Sequence, residues 1–308
     1  MKLTVYTILI SIGAALAIEG LNLLPIYPLA ILAAVPALWI PAKFRPSLFL
    51  LSGMPMGAEG ACWLVAGISY LFNAPVAAII FIFELFLVEH TLRNLLLVTL
   101  SAVIGAALHI GYKGSEAVFQ VPGLMIKAAA IPVYIISGAG IGLLGYLLSK
   151  IGKLKIPFIA GVAVIGALGW WMPDGLGNGF NHIAALLAGK VTLQLVFGVC
   201  IVRLLMLAVA DAAGVTGSRV TPLILIGAGL GLFSTMGLIH LFPGAGMTPA
   251  VGAIAGMVAM LTGGLRIWLA VMILALEATH QWQLGLPVIC AVTPAYGVVW
   301  LFERNGKG

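Results

Sequence analysis

Apolar runs follow one another along nearly the whole chain, each broken by a few glycines, prolines or polar residues. The clearest case reads LQLVFGVCIVRLLMLAVADAA, then GVTGSRVTP at 214–222, then LILIGAGLGLFSTMGL. A soluble domain needs a charged surface, and 8% charged residues beside 62% hydrophobic ones do not make one. Apolar runs of roughly 17–25 residues cross a bilayer as helices, because helices and closed barrels alone satisfy their own backbone in hydrocarbon. These runs are continuous and do not alternate every second residue, which excludes a barrel. The chain is expected to be an all-α polytopic membrane protein.

Candidate helices fall near 3–18, 21–40, 47–72, 74–90, 94–111, 128–149, 156–172, 193–213, 221–242, 248–263, 266–278 and 284–302. Several are short for a full crossing, and LFNAPVAA, GNGFNH, GVTGSRVTP and TGGLRIW interrupt the apolar sequence. Broken helices at membrane depth are tolerated where the freed backbone is buried in protein or lines a polar cavity. That pattern points to a transporter or channel. The first apolar stretch, LTVYTILISIGAALAI, continues into IEGLNLLPIYP without an A-x-A-like cleavage site and is kept in the fold.

The net charge of +6 is read as Lys and Arg on cytoplasmic loops, with Lys150, Lys153 and Lys155 clustered and Arg93 on the same side; no nucleic-acid partner is expected. Cys62, Cys200 and Cys290 lie far apart in apolar segments, so neither a disulfide framework nor a CxxC metal site is expected. His109, His182, His240 and His280 show no HExxH spacing, and no nucleophile–base arrangement or paired catalytic carboxylates are present. The expectation is no metal, no cofactor and no enzymatic activity. Trp170 and Trp171 read as an interfacial belt.

A weak internal repeat supports two comparable units. VAGISYLFNAPVAAIIFIFE ends at Glu84 and MVAMLTGGLRIWLAVMILALE ends at Glu277, an offset of 193 (277 − 84). Carried back by that offset, GVTGSRVTP lands beside AIEGLNLLP, which makes Glu19 its first-half counterpart in preference to Glu59 in MGAEGA.

Helix N-termini in a low dielectric present unpaired N–H groups and the positive end of a dipole, which attract anions. GVTGSRVTP, with Gly214, Gly217, Ser218, Arg219, Val220 and Thr221, precedes an apolar helix and has that form. GNGFN, with Gly177, Asn178 and Gly179, has it too. The residues alone leave open whether either loop is an anion cradle or a plain inter-helix turn.

From Asn73 onward the chain resembles the CLC chloride channels and chloride/proton antiporters. The matching stretches, in order, are FNAPVAAIIFIFE, GNGFNHIAALLAGKVTLQLVFGVCIVR, GVTGSRVTPLILIGAGLG, LFPGAGMTPAVGAIAGMVAML and LEATHQWQLGLPVI. The resemblance implies an inverted-repeat, broken-helix core, here with halves at 1–150 and 151–308, shortened at both ends. It implies a homodimer in the bilayer, one pathway per subunit, an inorganic anion as transported ligand with chloride as default, and a prokaryotic plasma or inner membrane location.

The departures carry information as well. The family's serine-containing GSGIP loop and its C-terminal anion-coordinating tyrosine have no counterpart; Tyr296 lies inside the last candidate helix. The family's GREGP gating loop is reduced to AIEGL around Glu19, and Val220 stands where the family has phenylalanine. The antiporters' acidic pair after FNAP reads Glu84-Leu85, which lacks the second acid and implies channel-like transport; Glu84 is kept as a proton-relay candidate. On the same resemblance Glu19, or else Glu59, is the gating side chain that occupies the anion's outer site and swings away when protonated; the other reading is an acid at a helix end. Arg219 either holds the anion in a two-pronged way or pairs with Asp211, eight residues earlier, and the pair is preferred. Glu84 and Glu277 are both expected to cap or pair, with proton relay as the other reading, and Arg203 and Arg266 to partner carboxylates. The alternatives to passive anion transport are a non-conducting CLC-derived subunit and a proton-coupled transporter of another anion.

Overall fold

In a computed structural model the described residues are 58–85, 91–121, 124, 126–151, 154–172, 175, 179–187, 195–214, 219–241 and 246–305. Among them every regular element is helical: α1 (Ala58–Phe72), α2 (Pro75–Leu85), α3 (Leu92–Lys113), α4 (Ile131–Ile151), α5 (Phe158–Trp171), α6 (Phe180–Leu187), α7 (Val202–Ala212), α8 (Val220–Leu241), α9 (Pro249–Leu265), α10 (Leu269–Thr279) and α11 (Gly285–Asn305). A π-helical turn, Leu195–Ile201, leads directly into α7. The expected apolar segments thus become helices wherever they are described. The helical spans Leu92–Lys113, Ala128–Ile151, Val220–His240 and Trp282–Arg304 are long and apolar enough to cross a membrane. The protein is a multi-pass integral membrane protein.

Two compact units divide these helices. The first comprises the described residues of 58–118 with Leu276–His280, and the second Phe119–Ala275 with 281–305.

In the first unit α1 packs on α3. A Cβ on Gly105 would come within 2.5 Å of the Ala66 carbonyl oxygen, so the two backbones touch where no side chain intervenes. The buried Ser69 hydroxyl donates to Ala102 O at 2.6 Å, and His109 Nδ1 lies 2.5 Å from Tyr70 O. An unpaired polar group is costly in such a setting, and both are satisfied across the helix pair. Thr91 caps α3, accepting from Asn94 N at 3.2 Å.

In the second unit α9 is the axis. Pro249 opens it, a position where its missing N–H costs nothing, and Ala250 through Leu265 are all buried. A wholly buried helix must be apolar all round, and PAVGAIAGMVAMLTGGL is. Its small residues let three neighbours close on it. α8 runs antiparallel, with a Cβ on Gly227 meeting Gly256 O at 2.5 Å and Gly231 facing Gly252 and Gly256. α4 approaches through Gly145, whose Cβ would reach Met260 O at 2.7 Å. α11 packs on both α9 and α4, Gly138 meeting Ala291 and Gly142 meeting Ala295. Arg266 ends α9 in a left-handed conformation at φ 62°, its N–H donating to Thr262 O at 2.9 Å. Its guanidinium pairs with Glu303 at 2.9 Å, as a carboxylate partner was expected to do. No disulfide joins Cys62, Cys200 and Cys290.

Gly231→Leu places a branched side chain against α9 backbone and is expected to lower the melting temperature in detergent markedly, overpacking costing ~1–3 kcal/mol or more where backbone must move. Gly140, in the same helix as Gly138, has no described atom within 4 Å of a built Cβ, so Gly140→Ala should be neutral or slightly stabilising. Thermal unfolding of the detergent-solubilised protein compares them; equal melting temperatures would remove close backbone approach as the organising contact.

Candidate functional site

The break between α7 and α8 holds most of the residues singled out from the sequence. α7 ends at Ala212, Ala213 N–H donates to Val209 O at 2.9 Å, and Gly214 turns the chain with φ +67°. That left-handed conformation is the reason for glycine at 214. Gly217 and Ser218 lie outside the described residues. α8 begins at Val220, with Leu223 N–H donating to Arg219 O at 3.1 Å. Pro222 has no N–H, so the first-turn amides of α8 are those of Val220, which is buried, and Thr221, which is half-buried.

Arg219 does not extend into open space. Its Nε donates to Asp211 Oδ1 at 2.8 Å and its Nη2 engages Asp211 Oδ2, a two-pronged pair with side chains 14% and 4% exposed. The preferred sequence reading of Arg219 is therefore the observed one. The pair borders a small recess walled by Gly145 and Ser149 of α4, Leu207 of α7, Leu223 of α8 and Gly264 of α9. Physically the pair is well placed. A lone guanidinium beside the positive end of α8 would meet an opposing dipole in a low dielectric, and the carboxylate offsets both.

The second loop is described only at its end. Gly179 has φ +73° and its carbonyl accepts from Ile183 N at 3.0 Å, opening α6; Gly177 and Asn178 lie outside the described residues. Against it stands Arg203 of α7, buried, and a Cβ on Gly179 would come within 2.5 Å of Nη1. Glycine is needed here twice, for the φ and for the guanidinium. The sequence expected Arg203 to partner a carboxylate; its nearness to a helix N-terminus 24 residues earlier (203 − 179) has no signature in spacing.

In the first unit a third break joins α1 to α2. Asn73, in a left-handed conformation at φ 49°, ends α1, and Pro75 starts α2. The Glu277 carboxylate receives the amides of Val76 at 3.2 Å and Ala77 at 2.8 Å. An acid near the end of α10 thus caps a helix 200 residues away in sequence. Cap-or-pair was the expectation for Glu277; which helix it caps was not legible, because nothing local links the two segments. Glu84 stands in the last turn of α2, half-buried, with Leu85 after it. Glu19 lies outside the described residues, as does the side chain of Glu59.

Comparison with known proteins fits this geometry. A family model described as voltage gated chloride channel matches residues 61–299. The H(+)/Cl(-) exchange transporter ClcA of Klebsiella pneumoniae is 28% identical over 243 residues, which are 73% of this chain and 52% of that protein. The chain therefore spans about half the length of that curated relative. Among solved structures, a slow cyanobacterial Cl−/H+ antiporter superposes with TM-score 0.68 at 21% identity, covering 80% of this chain and 64% of that one. A CLC-type fluoride/proton antiporter gives TM-score 0.69 at 16% identity, covering 97% of this chain and 95% of that one. At these identities the two structures share the fold.

Glu277→Gln keeps one acceptor but removes the charge from the α2 N-terminus, and is expected to cost ~0.5–2 kcal/mol, with Glu277→Ala at the upper end. Melting temperatures of the two variants in detergent test this, and a wild-type value for both would show that the cap holds nothing in place.

Proposed function

The chain belongs to the voltage gated chloride channel family, and from that membership we propose that it carries an inorganic anion, chloride by default, across the membrane. The observation that carries the reading is the α7–α8 break, where α8 begins at the buried Val220 and half-buried Thr221, directly after the Arg219 that pairs with Asp211. Amide donors hold a small anion without a full charge, and conduction needs sites that also release it. Gly177, Asn178, Gly179, Gly214, Gly217 and Ser218 are the further loop positions proposed to line the pathway, arranged as two inverted halves at 1–150 and 151–308.

Transport is proposed to be passive, because Leu85 follows Glu84 where the antiporter pattern has a second acid. Glu19 is proposed as the gating carboxylate, with Glu59 as the alternative, and Glu84 as the acid nearest to a proton route. The functional form is proposed to be a homodimer with one pathway per subunit. The second reading, proton-coupled exchange, is favoured by one finding: the similar curated protein is named an H(+)/Cl(-) exchange transporter, and both similar structures are titled proton antiporters.

Anion efflux from proteoliposomes separates them. The expected result is chloride efflux that is insensitive to a proton ionophore once charge balance is supplied, and that changes several-fold in Glu19→Gln. Uphill proton movement driven by a chloride gradient would replace the passive reading with exchange. Flux of chloride, fluoride and nitrate no greater than from empty liposomes would remove the transport proposal altogether.

A further inference from the structure

The segment that carries α4 into α5 contributes nothing to the transport reading, yet it sets cations among exposed apolar side chains. Lys150 and Lys155 lie in it beside Leu154, Ile156, Phe158 and Ile159, and all four of these apolar residues are exposed. No Asp or Glu occurs between Glu116 and Asp174 in the sequence. Two acids on helices that pack against α4, Asp211 of α7 and Glu303 of α11, are engaged by Arg219 and Arg266. Neither lysine has a carboxylate partner among the described residues.

The segment is held in place by the fold. Leu154 N–H donates to Ile151 O at 2.8 Å, which turns the chain at the end of α4. Ile156 N–H donates to Ala212 O at 2.9 Å, which ties the segment to the end of α7. Lys150 Nζ lies 5.0 Å from the centroid of the Tyr146 ring, and that ring packs on Phe302 of α11 at 5.8 Å. A cation in the last turn of α4 also offsets the helix dipole, which is reason enough for Lys150. Lys155 has no such role. It lies outside any helix, just ahead of α5, whose first turn carries no acid.

Water would leave the apolar side chains bare, with Leu154 63% and Ile159 82% exposed. Hydrocarbon would strip the lysines of their hydration. The boundary between the two, where headgroups carry negative charge, suits both kinds of side chain at once. Because the segment is already ordered, little conformational freedom is lost when a lipid settles on it. We propose that the α4–α5 segment is a docking surface for anionic phospholipid. Lys150 and Lys155 hold the phosphate-bearing headgroup, and Leu154, Ile156 and Ile159 sit among the acyl chains. The inference is independent of what the protein transports.

The test titrates the full chain in neutral-detergent micelles with phosphatidylglycerol against a phosphatidylcholine background, counting bound lipid by native mass spectrometry. The expected result is preferential retention of phosphatidylglycerol that weakens as salt is raised. Each lysine at such a surface is worth about fivefold, so Lys150→Gln/Lys155→Gln should weaken that binding about twenty-five-fold. Phosphatidylcholine binding should not change. Lys127, exposed ahead of the other end of α4, is the control, and Lys127→Gln should retain lipid like wild type. Ile159→Ser alters a side chain that the fold does not bury, and a several-fold loss of lipid is expected from it. Equal retention of the two lipids by wild type overturns the proposal. So does an equal loss in Lys127→Gln, which would reduce the effect to net charge, and so does full retention in Ile159→Ser. Glycerol phosphate, a headgroup without acyl chains, should not compete; displacement of lipid by it would make this a site for free phosphate and overturn lipid docking.

Discussion

Hydrocarbon gives two apolar helices no reason to leave lipid for one another, so everything in this structure depends on how closely their backbones approach. In the second unit that closeness is concentrated on α9. Its flanks of Ala and Gly are buried along their full length, and Gly227, Gly231 and Gly145 on the neighbours bring main chain against main chain. Dispersion between atoms in contact is small per pair and large in sum, and it requires an absence of side-chain bulk at the crossings. In the first unit Gly105 against Ala66 repeats the device, with Ser69 and His109 adding hydrogen bonds that water cannot supply there.

Close packing creates the next difficulty, which is what to do with helix ends. α2, α6 and α8 all begin at short interruptions in otherwise apolar sequence, and each leaves unpaired amides at a positive dipole end. The chain handles them differently. At α2 the carboxylate of Glu277 takes two amides and closes the end. At α6 a buried arginine lies against the Gly179 backbone. At α8 the amides of Val220 and Thr221 stand beside an arginine that already has its own carboxylate. A closed helix end is structural; an end that begins beside a neutral pair is where exchangeable binding is physically reasonable. That contrast is the reason the α7–α8 break, and not the α1–α2 one, is the candidate site.

Much of this was legible before any coordinates. The apolar runs gave helices whose ends agree with the observed ones to within a few residues wherever they are described, because hydrocarbon tolerates almost nothing else. FNAP, GNGFN and SRVTP marked three interruptions correctly, since Pro, Gly and Asn punctuate a helix through their own backbone preferences; Asn73, Gly179 and Gly214 all adopt positive φ. The Arg219–Asp211 pair was readable as well, since a cation eight residues from the only nearby acid, both in apolar surroundings, has few other partners. The cap by Glu277 and the placement of Arg203 against Gly179 were not readable. Their partners come from remote segments, and no periodicity within one helix encodes the address of another.

The sequence by itself therefore determined the solvent, the helical class, the family and the positions of the breaks, since each follows from composition or from conformational preferences local to a few residues. Tertiary structure alone decided which helix end is closed by a carboxylate, which carries a buried arginine, and which begins beside a neutral ion pair. Those outcomes depend on distances of about 3 Å between segments as many as 201 residues apart, and such distances exist only once the glycine-lined helices have closed on one another.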